Sequence, residues 1–157
     1  MTEHETTERD EWHRKFAGEL FNLTWELLDK VERTAEEEER MVHAAHASRF
    51  HWDEIGAPLQ FARGEWQISR VYAVLGRGEP ALHHARSCLD ICTEDNIGDF
   101  DLAFAYEALA RAYAVAGDRA RSEAHLRLAE LAGAEIKDQG DRDYFLSELK
   151  TVSILLQ

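Results

Sequence analysis

A chain of 157 residues, 45% hydrophobic and 31% charged, has the length of one soluble domain and enough apolar mass to give it a core. Its formal charge of −13, from 31 acidic against 18 basic residues, repels nucleic acid and anionic membrane, and both are set aside as partners. Two prolines and nine glycines are too few for the turns of a β-sandwich or barrel, and the Ala/Glu/Arg/Leu-rich stretches between them predict an all-α fold.

Residues 1–10 are polar and acidic, with neither the basic start nor the apolar run of a secretory signal. They predict a flexible N-terminus before a single helical domain over 11–157, in a cytoplasmic protein. No apolar run approaches the ~20 residues that cross a bilayer. Thr6 and Thr7 announce a first helix, whose stripe Trp12, Phe16, Leu20, Leu23, Leu27, Val31 recurs at spacings of three and four. Phe21, Trp25 and Leu28 add a second strip. Together they give more apolar circumference than one core uses, which points to a homodimer through this helix.

Thr34 with Glu37 three residues on is a capping-box pattern, and it opens a second helix that Gly56 stops. Pro58 suits the first turn of a third helix running to Gly76, and Pro80 opens a fourth. Asn96, Gly98 and Asp99 loosen the chain before a fifth helix over about 101–116, stopped at Gly117. A sixth runs from Asp118 to about Ala132, where Gly133 breaks it. The last, over 141–156, turns Tyr144, Phe145 or Leu146, Leu149 and Val152 inward and caps the domain.

The organisation shows most clearly in an internal repeat. RVYAVLGRGEPALHHAR from Arg70 overlays RAYAVAGDRARSEAHLR from Arg111 without a gap, at a 41-residue offset from Gly76 to Gly117. Arg70 falls on Arg111, Tyr72 on Tyr113, His84 on His125 and Arg86 on Arg127. Each unit, about 62–95 and 101–133, is a helix, a glycine turn and a second helix, which buries its apolar face only by stacking on a neighbour.

At these residues the chain resembles the tetratricopeptide repeat (TPR) family. Leu109, Ala110, Tyr113, Gly117, Ser122, Leu126 and Ala129 stand where that family places its leucine, small residue, tyrosine, turn glycine, small residue, large residue and alanine. Ile68, Ser69, Tyr72, Gly76, Ala81, Ala85 and Cys88 stand there in the earlier copy. The likeness covers about residues 62–132. It departs from the family in a period longer than ~34 residues and in an N-terminal part that follows the pattern only loosely. It implies a right-handed, TPR-like stack of about three antiparallel hairpins, with an N-terminal helix and a C-terminal capping helix.

In such a stack the first helix of each unit lines a concave groove. Arg63, Trp66 and Arg70 share one face of theirs, and Glu107 with Arg111 repeats the placement one unit later. Three arginines would make a local positive pocket for a carboxylate or phosphate, with His46, Arg49 and Asp101 extending it. The plainer alternative pairs Arg70 with Glu107, and Arg63 with Glu65 or water.

His43, His46 and His51 share the helix over 34–55 with Glu36 to Glu39, and imidazoles with carboxylates are the donors of a zinc or iron site. At ~100° per residue His51 sits well round the cylinder from His46, so a metal would need ligands from other helices. The plainer reading is a solvated acidic face with hydrogen-bonding histidines. Cys88 and Cys92 are read as reduced packing residues. No nucleophile motif, phosphate loop or HExxH occurs, and neither a catalytic residue nor a cofactor is assigned. The sequence thus predicts a module that binds a protein or peptide, through a carboxylate of the partner. A small-molecule- or metal-dependent enzyme built on the histidine-rich helix is the alternative.

Overall fold

Among the described residues seven helices follow one another: α1 (Glu3–Leu28), α2 (Ala35–Ile55), α3 (Pro58–Val74), α4 (Gly78–Glu94), α5 (Asp99–Val115), α6 (Arg119–Ala134) and α7 (Gln139–Leu155). The computed structural model describes residues 2–157 and every side chain among them except those of Glu3, His4 and Thr6. Among the described residues there is no strand, and no helix is long and apolar enough to cross a membrane.

The helix ends have local causes. Thr34 and Glu37 form the capping box their spacing predicts, each side chain accepting from the other's backbone N–H (3.2 and 3.0 Å). Gly56 ends α2, and Pro58 takes the first turn of α3. The same capping device operates at Thr2 and Glu5, so α1 starts at Glu3. Residues 3–10, expected to be flexible, are therefore helical, and the helix begins ahead of the start expected at Thr6 and Thr7. At its other end α1 stops at Leu28, where Arg33 Nη1 donates to the carbonyls of Leu27 and Lys30. Val31 falls outside the helix and is fully exposed instead of continuing the stripe.

The two repeat units superpose in their turns. Gly76 and Gly117 take φ of +74° and +82°, the left-handed region where a Cβ is costly. Arg77 N–H then reaches back to the Tyr72 carbonyl (2.8 Å), as Asp118 N–H does to Tyr113 (2.9 Å). Tyr72 stacks on His84 and Tyr113 lies tilted against His125, so the matched histidines serve packing.

Between the helices of each hairpin a buried serine donates to an alanine carbonyl: Ser69 to Ala81 (2.8 Å) and Ser122 to Ala110 (2.7 Å). The offset carries Ser69 onto Ala110 and Ala81 onto Ser122, so the contact is kept while donor and acceptor change helices. Ser48 makes the same bond to Ala17 (2.7 Å) between α2 and α1, although their sequence follows the repeat only loosely. A hydroxyl beside an alanine satisfies its own donor and still lets two helices close up.

Consecutive helices pack throughout, and α1, α3, α5 and α7 also touch in series, whereas α2 meets α4 through the edge-to-face contact of His46 with His84, 5.4 Å between ring centroids. The odd helices form a closed row. The central helix α5 accordingly buries ten of its residues, five of them alanines. The last hairpin differs from expectation at Gly133, which lies inside α6 and breaks nothing. It is buried, and a Cβ there would collide with the ring of Phe145. The glycine is the seat on which α7 docks. Phe145, Leu149 and Val152 are the buried face of α7, while Tyr144 and Leu146 remain largely exposed.

Candidate functional site

The five residues expected in a groove, all on the odd row, do lie together, but they are largely engaged with one another. Glu107 on α5 is fully buried and is the centre of the set. It accepts from Trp66 Nε1 (3.1 Å), from Arg70 Nη2 (3.1 Å) and from Arg111 Nε (2.8 Å). Arg70 also donates to Glu148 of α7 (2.8 Å) and lies over the Trp66 ring, 5.0 Å from its centroid. Arg111 reaches Thr151 Oγ1 (2.6 Å) and the Glu148 carbonyl. Burial acts to raise the pKa of Glu107, but the Arg70 and Arg111 charges outweigh it and hold the carboxyl below its ordinary range.

The geometry therefore favours the pairing of Arg70 with Glu107 over a free positive pocket. Arg63 is matched too, with Nε and Nη2 both donating to Asp101 (2.8 and 3.2 Å) in place of Glu65 or water. Arg70 Nε, within this set, is left buried without a partner, as Arg33 Nε and Gln67 Oε1 are elsewhere among the described residues.

His46 and Arg49 lie on the opposite side of α3 and do not extend this set. Arg49 crosses Gly64, where a Cβ would press on its side chain, and bonds Glu65 (3.1 Å). Glu65 in turn pairs with His84 Nδ1 (2.6 Å), and His46 Nε2 meets the Tyr72 hydroxyl (2.8 Å). Burial resists ionisation of Glu65, yet His84 and Arg49 together keep its pKa low. The three histidines of α2 scatter: His43 is exposed, His46 faces Tyr72, and His51 faces His13 with the two Nδ1 atoms 2.9 Å apart. Among the described residues no three His, Cys, Asp or Glu side chains form a group able to hold a metal.

Beside the Glu107 network the odd row opens into a cleft of about 370 Å³. Its wall is aromatic: Phe21 and Trp25 from α1, Trp66 from α3, Phe100 and Phe104 from α5, and Tyr144 from α7. Trp25 stacks on Trp66 with centroids 5.6 Å apart, and Phe104 meets Trp66 edge-on at 5.5 Å. Phe21 and Trp25, expected on a dimer face, are half-buried in the wall of this cleft, Trp25 against Trp66 of its own chain. The aromatic groups of α1 that stay exposed are Trp12 and Phe16. Cys88, a free cysteine, is buried in the cleft lining; its hydrogen bond with Cys92, and burial, push its pKa well up, so it stays a thiol.

Compared with known proteins, the chain matches no family model, no curated protein and no solved structure. Its function has to be argued from this geometry.

The cleft residues outside the expected five could have been found by extending the stripes. Phe100, Phe104, Glu107 and Arg111 fall at i, i+4, i+7 and i+11 of α5, and Tyr144, Glu148 and Thr151 at i, i+4 and i+7 of α7. Asp101 and Asp141 complete the rim, with Arg63 spent on the first of them.

Proposed function

We propose that this chain is a binding module of a TPR-like, right-handed helical stack, and that it receives a segment of a protein or peptide in the cleft along its odd-numbered helices. The observation that carries the reading is the aromatic cleft itself: six rings from four helices line about 370 Å³, whereas the exposed pair Trp12 and Phe16, stacked beside His51, draws on two helices. The matched turns, the serine-to-alanine bond in all three hairpins and the contacts along the odd row support the stacked arrangement. The network of Glu107, Arg70 and Arg111 acts as the support that fixes Trp66 and α7 against α5, and so holds the cleft at a set width.

A random-peptide display library panned on the intact chain tests this. Peptides should enrich, and they should lose binding to Tyr144→Ala and Phe100→Ala while retaining it for a substitution at the outer His83. Enrichment of peptides indifferent to both cleft variants would move the site elsewhere, and no enrichment would contradict a peptide-binding role. The enzyme reading built on α2 draws on the cluster of His46, Tyr72, Glu65 and His84, but those groups already satisfy one another and lie across α3 from the cleft.

A further inference from the structure

The cleft's chemistry is not that of a carboxylate receptor. Arg70 and Arg111 are committed to Glu107 and Glu148, and Arg63 is held at both ends of its fork by Asp101. Asp141, at the rim in the first turn of α7, has no hydrogen bond or ion pair through its side chain among the described residues, although its charge, with that of Asp101, helps to hold Arg63 protonated. Asp29, at the end of α1, acts on the cleft as well. The Tyr144 phenol is pushed up by burial, then by Glu148, with Glu107 and Asp29 in the same direction and Arg70 opposing. Around the cleft, then, three guanidinium groups stand against five carboxylates. Ring faces add to this field, because the quadrupole of an aromatic side chain presents its negative side to whatever lies over it.

An anion entering here would meet π faces and an unpaired carboxylate, and would find no free guanidinium. A cation gains from both. The size points to what carries it: about 370 Å³ is near the bottom of the ~300–1,000 Å³ range of small-molecule pockets, suited to one long side chain. Resting on the peptide-binding reading, we propose that the cleft takes a basic side chain of the partner, a lysine or arginine, among Phe21, Trp25, Phe100 and Tyr144 with its charge toward Asp141. The stem of such a side chain is apolar and would cover the rings, while its head remains at the wetter rim. The −13 charge of the whole chain favours approach of a basic partner in the same sense.

Three capped tripeptides, acetyl-Gly-Xaa-Gly-amide with Xaa lysine, norleucine or glutamate, separate charge from apolar contact. Each is titrated into the ¹⁵N-labelled chain and followed at the Trp25 indole N–H. The lysine peptide should bind at least about threefold more tightly than norleucine, and the glutamate peptide more weakly than either. Asp141→Asn should remove most of the lysine advantage and leave norleucine unchanged. Asp141 is exposed and Asp138 supplies the α7 cap, so this variant should keep the wild-type spectrum elsewhere. Equal binding of all three peptides in the cleft would overturn the cation preference while leaving a peptide site. A glutamate preference, or an Asp141→Asn variant that keeps the full lysine advantage, would overturn it as well. If no tripeptide moves a cleft resonance, the proposal fails, and the display result then decides the peptide reading by itself.

Discussion

The hairpins α3–α4 and α5–α6 have the same turn and different inner faces. Their turns agree in the sign and size of the glycine φ and in the backbone bonds that follow it, to about a tenth of an ångström. On the inner face, the 41-residue offset puts Trp66 where the next hairpin has Glu107, and these two residues are hydrogen-bonded to each other. Arg70 and Arg111 are the same residue at matched positions, and both bond Glu107. The repeat therefore preserves what closes a hairpin. What lines the row is free to differ, and the cleft is built from the positions that differ.

The largest effect expected from breaking this relation is at Glu107. Glu107→Ala takes the shared carboxylate from the buried Arg111, the half-buried Arg70 and the Trp66 N–H, and should lower unfolding free energy by about 3–5 kcal/mol in urea titration. A loss no larger than that of an exposed ion pair would mean that the network does not hold the row together.

Next is Gly133, which the offset matches to Cys92. Gly133→Ala forces a methyl into Phe145 and should cost about 1–3 kcal/mol. Cys92→Ala removes a small buried group and should cost about 1 kcal/mol, as the loss of a methyl does. Equal costs would show that α7 does not depend on the gap in α6.

The serine bond sharpens the comparison directly. Ser69→Ala should cost about 1 kcal/mol, and adding Ala81→Ser, which copies the arrangement of the second hairpin, should restore most of it. Thermal unfolding of the single and double variants reads this out, and a double variant weaker than the single would deny the equivalence.

The smallest expected effect concerns pH. His46 is lowered from 6.5 by burial first and then by the charge of His84, with Glu65 opposing and His43 adding slightly; His51 is lowered by burial and by His13. Both are bound neutral in the fold, so their contribution is complete above about 6.5 and is lost as pH falls through the depressed folded values. The urea midpoint should decline from pH 7 to pH 5, and His46→Gln should flatten that decline. A midpoint that rises on acidification would contradict the assignment.

How much of this could be read from the residues divides along the same line. Thr34 with Glu37, Pro58, and Gly76 with Gly117 act through neighbours a few positions away, and their effects were legible in the sequence. Gly133 was misread as a breaker because its reason is tertiary, a Phe145 ring from another helix. Phe21 and Trp25 gave a helix greasy on two sides, but nothing local says whether the second side meets Trp66 or another molecule. Trp66, Arg70, Glu107 and Arg111, which the repeat set on one face, are hydrogen-bonded together, while Arg63 on the same face turns to Asp101. Their charge state as a group was not legible, because Glu148, from the capping helix, lies outside the repeat. His46 and Arg49 were added to the wrong side of α3, as face arguments within α2 do not say which neighbour it packs on.

If binding takes place in the aromatic cleft, the polar network beside it is support and not receptor. The four tryptophan indoles report on this in one spectrum: Trp25 and Trp66 in the cleft, Trp12 exposed on α1, and Trp52 near the end of α2. On titration with the tightest peptide recovered by display, the Trp25 signal should move most, with Trp66 following and Trp12 and Trp52 still. Movement of Trp12 or Trp52 with Trp25 and Trp66 unchanged would contradict binding in the cleft.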